Sequence, residues 1–233
     1  MDISIDPSFL HLIQINDSAF PTGAYAHSFG METYVQNNVI RNDKDLWEFC
    51  DMYLRQNLAS TDAIFIKEAF KLAKDDDREG LIHLEKLCNG IKLAPETREG
   101  SAMMGRQFLQ TIYPLHDDHE LLTYWYQKFK NKEIKGHHSI AYGIYCGLIG
   151  ADMQKTIEAF LYSSVTALVQ NAIRSVPLGQ QAGVRTVYNL LPVMKKTAVD
   201  VMTKTLDDLD NNTVALEIAS MQHEFLYSRL FIS

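Results

Sequence analysis

Residues 156–176, TIEAFLYSSVTALVQNAIRSV, decide the fold class of this chain of 233 residues. Apolar side chains lie nearly all the way round a helix drawn through this stretch, which is typical of a helix surrounded by other helices. Helical spacing recurs in 46–58, on the face formed by Leu46, Phe49, Cys50, Tyr53, Leu54 and Leu58. No long stretch alternates with period two. The sequence therefore predicts an all-α fold without a sheet, in which 156–176 is the central helix.

Prolines and polar residues mark where the predicted helices begin and end. Pro95 fits the first turn of a helix, whereas Pro114 and Pro177 fit positions just beyond helix ends. Asp43 and Thr61 are predicted N-caps. We expect a bundle of roughly ten helices, at about 43–58, 61–74, 78–91, 95–113, 117–131, 138–150, 153–175, 179–191, 193–206 and 213–231.

Three glycines, Gly143, Gly147 and Gly150, recur at near-helical intervals just before the central helix. Glycine lowers helix propensity, but it allows another backbone to approach closely. We expect tight helix packing at these positions.

The composition favours a cytoplasmic protein of one domain, residues 1–233. Hydrophobic residues make up 46% of the chain, enough for one substantial core. The longest apolar runs are only a few residues, far short of the roughly 20 that cross a bilayer. The N-terminal stretch carries aspartates where a secretory signal carries basic residues. We expect no membrane segment.

The cysteine pattern and the net charge restrict the class of partner that this protein is expected to bind. Cys50, Cys88 and Cys146 lie far apart and without a CxxC pair, which indicates reduced thiols rather than a disulfide framework or a zinc cluster. The formal net charge of -7 argues against a nucleic-acid protein, which needs a cationic face to neutralise phosphates. The expected partners are proteins.

The motifs of common enzymes are missing from the sequence. It contains no GxxxxGK[ST] loop to cradle phosphates, no HExxH zinc motif and no GxSxG elbow. The pairs His119-Glu120 and His223-Glu224 lack the second histidine of a zinc peptidase, so we interpret both as solvated helix-surface residues. We predict no catalytic residue and no cofactor site.

Two histidine clusters leave metal binding open as an alternative. His116 and His119 bracket two aspartates in the stretch HDDH, and His137 and His138 are adjacent. Such groups can bind nickel or zinc. HDDH also follows Pro114 where a helix should start, so Asp117 or Asp118 can serve as its N-cap. We predict no metal site, and a nickel-binding carrier is the alternative.

Residues 14–36, QINDSAFPTGAYAHSFGMETYVQ, differ from the helical segments around them. The run 20–23 has the Pro and Gly positions of a type I turn, and a structured loop is predicted. Ser18, His27 and Ser28 suggest a nucleophile and a base, but no orienting acid accompanies them. An enzyme would require a hidden site around Ser18, His27 and Arg106.

The stretch DSAFPTGAYAHSFGMET at 17–33 resembles the N-terminal signature of UreF urease accessory proteins, approximately D-S-x-x-P-T-G-x-x-x-H-S-x-G-x-E. Four further segments resemble the same family in the expected order. These are PETREGSAMMGRQFL at 95–109, GHHSIAYG at 136–143, QNAIRSVPLGQ at 170–180 and MQHEFLYSRLFIS at 221–233. Together the segments span nearly the whole chain.

The resemblance implies an all-helical, dimeric scaffold. Such proteins bridge a second accessory protein, UreD (also called UreH), to the GTPase UreG, and the assembly delivers nickel to apo-urease. The missing phosphate loop agrees with this, since UreG would supply it. The matching motifs provide candidate partner-binding residues: Thr22, His27, Ser28, Arg174, Gln180, Tyr227, Arg229 and Phe231.

The apolar C-terminal stretch 221–233 has two possible roles. It docks on its own bundle as part of a final helix, or it offers aromatic and arginine anchors to a partner. The resemblance favours a partner, UreD, with Arg229 as a polar anchor beside Phe231.

Overall fold

The computed structural model describes residues 7–116, 118–211 and 213–233. Within these ranges the chain forms α-helices and short 3-10 or π turns, and no strand, which confirms the predicted all-α class. The α-helices are α1 (Pro7–Asn16), α2 (Met31–Gln36), α3 (Asp43–Met52), α4 (Asp62–Lys74), α5 (Arg78–Ile91), α6 (Pro95–Ile112), α7 (Glu120–Lys130), α8 (His138–Leu148), α9 (Met153–Ser175), α10 (Gln180–Thr203) and α11 (Val214–His223).

Two helices form the centre of the bundle. As predicted, α9 is surrounded, and it packs against α1, α2, α3, α4, α8 and α10. The most enclosed helix, however, is α8, in which every side chain from Ser139 to Gly147 is buried. The sequence predicted a helix at 138–150 but identified 156–176, and not this segment, as the central one.

Glycines let the backbones of α4 and α8 approach closely. A Cβ atom at Gly143 would lie 2.5 Å from the Ile66 carbonyl oxygen, and one at Gly147 would lie 2.8 Å from the Phe70 carbonyl oxygen. These two contacts confirm the predicted tight packing. Gly150 has a different role, because it follows the end of α8 with a φ of +68° and nothing within 4 Å of its Cβ position.

Several predicted helix ends were wrong. The segments 179–191 and 193–206 form one helix, α10, with Pro192 inside it. Pro192 is exposed, and buried Leu190, Val193 and Met194 hold the helix together on both sides of the proline. The regular part of α3 ends at Met52 and continues as a π turn and a 3-10 turn.

Polar caps also differ from the sequence prediction. Asn42 rather than Asp43 caps α3, with its side-chain oxygen accepting from the amides of Lys44 and Asp45. Thr61 does precede α4, but its hydroxyl donates to the Asn57 carbonyl instead of capping the helix. The helix predicted at 117–131 begins at Glu120.

A buried carboxylate caps α8 from a neighbouring helix. Glu85 of α5 accepts hydrogen bonds from the amides of Gly136, at 2.6 Å, and His137, at 3.3 Å. These amides belong to the turn that starts α8, where unpaired N–H groups attract negative charge. Burial raises the pKa of Glu85 to about 7, although the backbone hydrogen bonds act against this shift. Among the described helices, none is long and apolar enough to cross a membrane.

The first prediction concerns the approach of α6 to the turn before α8. A Cβ atom at Gly105 would lie 1.8 Å from the Gly136 carbonyl oxygen. Gly105→Ala should therefore force the two segments apart and lower the free energy of unfolding by about 1–3 kcal/mol in urea titration. Gly90→Ala is the control, since nothing lies within 4 Å of that exposed helical position. It should be neutral or slightly stabilising, and equal losses in both variants would contradict the packing argument.

The second prediction follows from the raised pKa of Glu85. Folding favours its protonated form, so the stability from this group is full below its ordinary value of 4.5 and is lost as pH rises to about 7. Glu85→Gln keeps an acceptor without the charge. The variant should gain up to about 3 kcal/mol over the native chain between pH 5 and pH 8. Urea titrations at both pH values measure this difference. Exposed Glu79→Gln on the same helix should not change with pH in this way.

Candidate functional site: the tail junction

The last ten described residues, 224–233, form a tail that folds back on the bundle. The helix predicted at 213–231 ends at His223, so the tail is not helical. The Ile232 amide donates to the Ala26 carbonyl at 2.8 Å, and the Phe29 and Ser28 amides donate to the Ser233 carbonyl oxygen. The tail therefore pairs through its backbone with residues 26–29 of the N-terminal signature. We call residues 25–29 the signature loop, and the contact between this loop and the tail the tail junction.

Glu32 is the main acceptor for the tail. Its buried carboxylate accepts from the amide of Leu230 at 2.8 Å and from the amide of Phe231 at 3.3 Å. The same carboxylate lies 2.8 Å from Nε2 of His223. A buried carboxylate is stable only when donors surround it. Here the tail and the end of α11 supply them.

His223 joins two carboxylates from distant parts of the chain. Its Nε2 atom faces Glu32, and its Nδ1 atom lies 2.6 Å from Oε2 of Glu96. Carboxylates only accept hydrogen bonds, so this arrangement needs a proton on each ring nitrogen or on one carboxyl group. Glu96 also accepts from Arg229 of the tail at 2.9 Å. The cluster thus connects α2, α6, α11 and the tail.

Arg174 holds the tail from the other side. Its guanidinium lies 4.8 Å from the centre of the Phe231 ring and donates to the Tyr25 carbonyl and the Asn171 side chain. The Asn171 amide in turn donates to the His27 carbonyl at 2.8 Å. Phe231 is only 4% exposed. The sequence predicts Arg174 as a partner-binding residue, and in this structure it contacts both the signature loop and the tail of its own chain.

His27 completes the junction in the interior. Its Nδ1 atom lies 2.7 Å from Oγ of Ser233, and both residues are buried. Burial lowers the pKa of His27 below its ordinary value. The alternative of a hidden enzyme site around Ser18, His27 and Arg106 is not favoured, because Ser18 and Arg106 are exposed while His27 is enclosed.

The structure brings five of the eight predicted partner-binding residues together in this junction, namely His27, Ser28, Arg174, Arg229 and Phe231. The other three lie outside it. Thr22 is half-buried in the turn before α2, Gln180 is exposed at the start of α10, and Tyr227 is fully exposed on the tail.

His27, Ser28 and Phe231 are all buried, so their predicted role in partner binding stays a prediction that the accessible surface of this structure does not favour. In this conformation they bind the chain's own tail or loop and offer no surface to a partner. Phe231 points inward because the tail alternates, with Leu230 and Ile232 on its exposed side.

Sequence reasoning missed the residues that hold the junction together, Glu32, Glu96, Asn171 and His223. The prediction of a solvated His223 was wrong, since this side chain is fully buried. All four residues lie in segments that carried the family resemblance. The only signal in the sequence was that these charged or polar residues lie inside the matched motifs. Helical periodicity alone does not distinguish a buried polar residue from an exposed one.

A second histidine lies in an arrangement that resembles catalytic machinery. Nδ1 of His137 lies 3.2 Å from Oγ of Ser101, and its Nε2 lies 3.2 Å from Oδ1 of Asn89. Burial lowers the pKa of His137 to about 3. At neutral pH this ring is therefore a poor proton acceptor for a serine. The arrangement is a buried hydrogen-bond network of the core.

The histidine clusters are not arranged as ligands. His138 is enclosed by the rings of Phe108, Tyr142 and Phe160. Nε2 of His116 lies 3.0 Å from the Tyr145 hydroxyl. Over the described ranges, no group of three or more His, Cys, Asp or Glu side chains could hold a metal ion. Asp117 of HDDH lies outside the described residues.

A cavity lies beside the junction, with His27, Ser220 and Glu217 in its wall. The buried ion pair Asp62–Lys92, with a separation of 2.9 Å, also lines it. Glu217 accepts from the Ala94 amide at 2.6 Å. The charges here are used for internal pairing, as buried charges must be. Ser220 has a buried hydroxyl without a protein partner, a position suited to an internal water.

Fold and site together define a class of protein. Over the described residues this is a helical protein in which a polar cluster around Glu32 and His223 binds the chain's own tail, and the buried histidines His27, His137 and His223 form hydrogen bonds inside the bundle. Two comparisons with known proteins identify the same family. Residues 40–191 match the model of the UreF family. The chain is also 61% identical, over 203 residues, to the urease accessory protein UreF of Sporosarcina pasteurii, a match that covers 87% of this chain and all of that relative.

The chain therefore belongs to the UreF family of urease accessory proteins. It is an accessory protein and not a catalytic enzyme. The resemblance found in the five sequence motifs is confirmed, and four of those motifs meet at the tail junction.

The third prediction tests whether Glu32 holds the tail. Glu32→Ala removes the acceptor of the Leu230 and Phe231 amides, each of which should then exchange hydrogen about tenfold faster or more. Hydrogen–deuterium exchange with mass spectrometry measures this. Exposed Glu48→Ala on α3 is the matched control. Unchanged exchange in residues 224–233 of Glu32→Ala would show that the tail is held by other contacts.

Proposed function

We propose that this chain is a non-catalytic, cytoplasmic scaffold that bridges UreD (UreH) to the GTPase UreG in the assembly that delivers nickel to apo-urease. Membership of the UreF family supports the setting. The absence of a phosphate-binding loop from the sequence supports a scaffold role, because the GTPase chemistry must come from another protein.

The observation that carries this proposal is a concentration of exposed apolar residues on α11 and the tail. Val214, Ile218, Met221 and Phe225 recur at intervals of three and four residues, and all four are exposed. The tail extends this surface with Tyr227, Leu230 and Ile232. A concentration of exposed apolar residues of this kind marks a protein-binding site.

The tail junction makes this surface rigid before a partner arrives. The buried side chains of Phe231 and Ser233 hold the tail against the bundle. The neighbouring side chains of Leu230 and Ile232 therefore point outward in a fixed arrangement. Phe225 is 82% exposed and Tyr227 is fully exposed. Aromatic side chains presented in this way are the residue type enriched at interface hot spots. A prearranged surface loses less entropy on binding. We assign this surface to UreD.

The nickel-carrier alternative differs in one measurable property. A carrier binds nickel as an isolated chain, whereas a scaffold takes part in nickel delivery only within its assembly with other proteins. Equilibrium dialysis of the isolated chain against nickel separates the two. The buried position of His137 favours the scaffold, because its ring is enclosed and its two nitrogens are hydrogen-bonded to Ser101 and Asn89.

The fourth prediction separates the outer and inner faces of the tail. Phe225→Ala combined with Tyr227→Ala should abolish co-purification with UreD and leave the melting temperature unchanged, because both side chains are exposed. Phe231→Ala should instead lower the melting temperature, since it empties a buried site. Deletion of the whole tail would mix these effects. Exposed Tyr162→Ala on α9 is the control for surface loss. Full UreD binding by the double variant would contradict the assignment of this surface.

A further inference from the structure

Two carboxylates of the tail junction share one imidazole ring. Nδ1 of His223 lies 2.6 Å from Oε2 of Glu96, and Nε2 of the same ring lies 2.8 Å from Oε2 of Glu32. His223 is fully buried, and Glu32 is only 2% exposed. Both separations are direct hydrogen-bond distances, so each ring nitrogen faces a carboxylate oxygen without a water between them.

A neutral imidazole cannot satisfy both contacts. It carries one N–H group, so its other nitrogen would turn a lone pair towards an oxygen that also only accepts. Both contacts become hydrogen bonds when the cluster holds one further proton, on the ring or on a carboxyl group. With that proton on the ring, the cations His223 and Arg229 balance the two carboxylates. Without it, the cluster keeps an unbalanced negative charge where little water can reach it.

The charged groups that face His223 come from three packed elements. These are Glu32 on α2, Glu96 on α6 and Arg229 on the tail. On α11 itself, Glu217 is turned to the Ala94 amide, and Glu224 is exposed. Burial lowers the pKa of His27 in the signature loop, so this ring adds no charge at neutral pH. The need for a further proton therefore belongs to His223 and its two carboxylates.

We propose that the tail junction is a pH-sensitive switch, in which one proton held between His223, Glu32 and Glu96 keeps the tail docked. Glu32 also accepts from the Leu230 and Phe231 amides, so the group that needs the proton is the group that holds the tail. Opening of the junction moves the cluster into water and releases the proton to solvent. Docking of the tail and binding of the proton are thus coupled.

The sign of the pH dependence follows from the open state. In water a histidine loses its proton at about pH 6.5, and a glutamate does so at about pH 4.3. Above about pH 6.5 opening therefore releases one proton, and each further pH unit favours the open state about tenfold. Below about pH 4.3 the opened carboxylates take up protons, which again favours the open state. The tail should be held most firmly at about pH 5–6.

The consequence of this switch rests on the scaffold function proposed above. The exposed side chains of the tail belong to the surface that we assign to UreD, and they keep a fixed arrangement only while the tail is docked. A rise in pH reduces the fraction of chains that present this prearranged surface, and binding to the open chain must first order the tail. The proton therefore regulates the surface through the opposite side of the tail.

The fifth prediction is the pH dependence of hydrogen–deuterium exchange in residues 224–233 of the isolated chain. Mass spectrometry measures the exchange, and the rates are corrected for the base catalysis of exchange itself. The protection of the Leu230 and Phe231 amides should then fall about tenfold for each pH unit between about pH 7 and pH 8, because opening releases one proton.

Two substitutions on α6 show whether the proton causes this dependence. In Glu96→Gln, a neutral His223 can donate to Glu32 through Nε2 and accept from the new amide through Nδ1, so no further proton is needed. The tail of this variant should lose the tenfold dependence on pH. Glu99→Gln removes the same charge from an exposed position of the same helix and should keep the dependence. Circular dichroism checks that both variants are folded.

Two results would overturn the switch. One is a native tail whose corrected protection is the same at pH 7 and pH 8, and the other is a Glu96→Gln variant that keeps the full dependence. The outcome is separable from that of the scaffold proposal. A pH-independent tail in a chain that still co-purifies with UreD would overturn the switch and leave the bridging role standing. A pH-dependent tail in a chain that binds no UreD would support the switch and contradict the surface assignment.

Discussion

The carboxylate of Glu32 is the constraint on which the arrangement of the tail depends. A carboxylate buried among helices is stable only if donors replace the water that it lost. In this chain those donors are two backbone amides of the tail and the imidazole of His223. The end of α11 must therefore lie against α2, and the tail must turn back towards the signature loop. Arg229, Glu96 and Arg174 then follow as the partners of groups that Glu32 has already brought into place.

This constraint explains why the tail can be both a structural and a binding element. The backbone amides of the tail bind buried acceptors, and the alternating side chains of Phe231 and Ser233 pack into the interior. The remaining side chains of the tail face solvent. The sequence hypothesis opposed a docked tail to a partner-binding tail, but an extended segment with period two can do both. A docked inner face with Phe231 supports an exposed outer face with Tyr227 and Leu230. The two roles divide by residue and not by segment.

The fold could be predicted from the sequence to a large extent, and the site only in outline. Helices such as α5 and α9 were predicted within one or two residues, because in each an aspartate cap, Asp77 or Asp152, precedes a stretch rich in apolar residues. Pro192 misled the prediction, since sequence rules treat proline as a helix end while tertiary packing carries α10 through it. The motifs that meet at the junction were identified correctly, but the contacts between them were not predicted. Nothing local in the sequence shows that Glu32 and His223, 191 positions apart, would form a hydrogen bond with each other inside the protein.

The sequence separation within the junction affects the order in which this protein can mature on the ribosome. His27 and Ser233 are 206 positions apart, and at roughly 5–20 residues per second the ribosome needs about 10–40 s to synthesise the chain between them. During that time the signature loop, the start of α6 and the end of α9 have emerged without the segment that fills the space between them. Glu32 is then solvated, and its desolvation must wait until the tail has left the exit tunnel. Closure of the junction is thus a late, long-range step, and a nascent chain without residues 224–233 leaves Glu32 without two of its backbone donors.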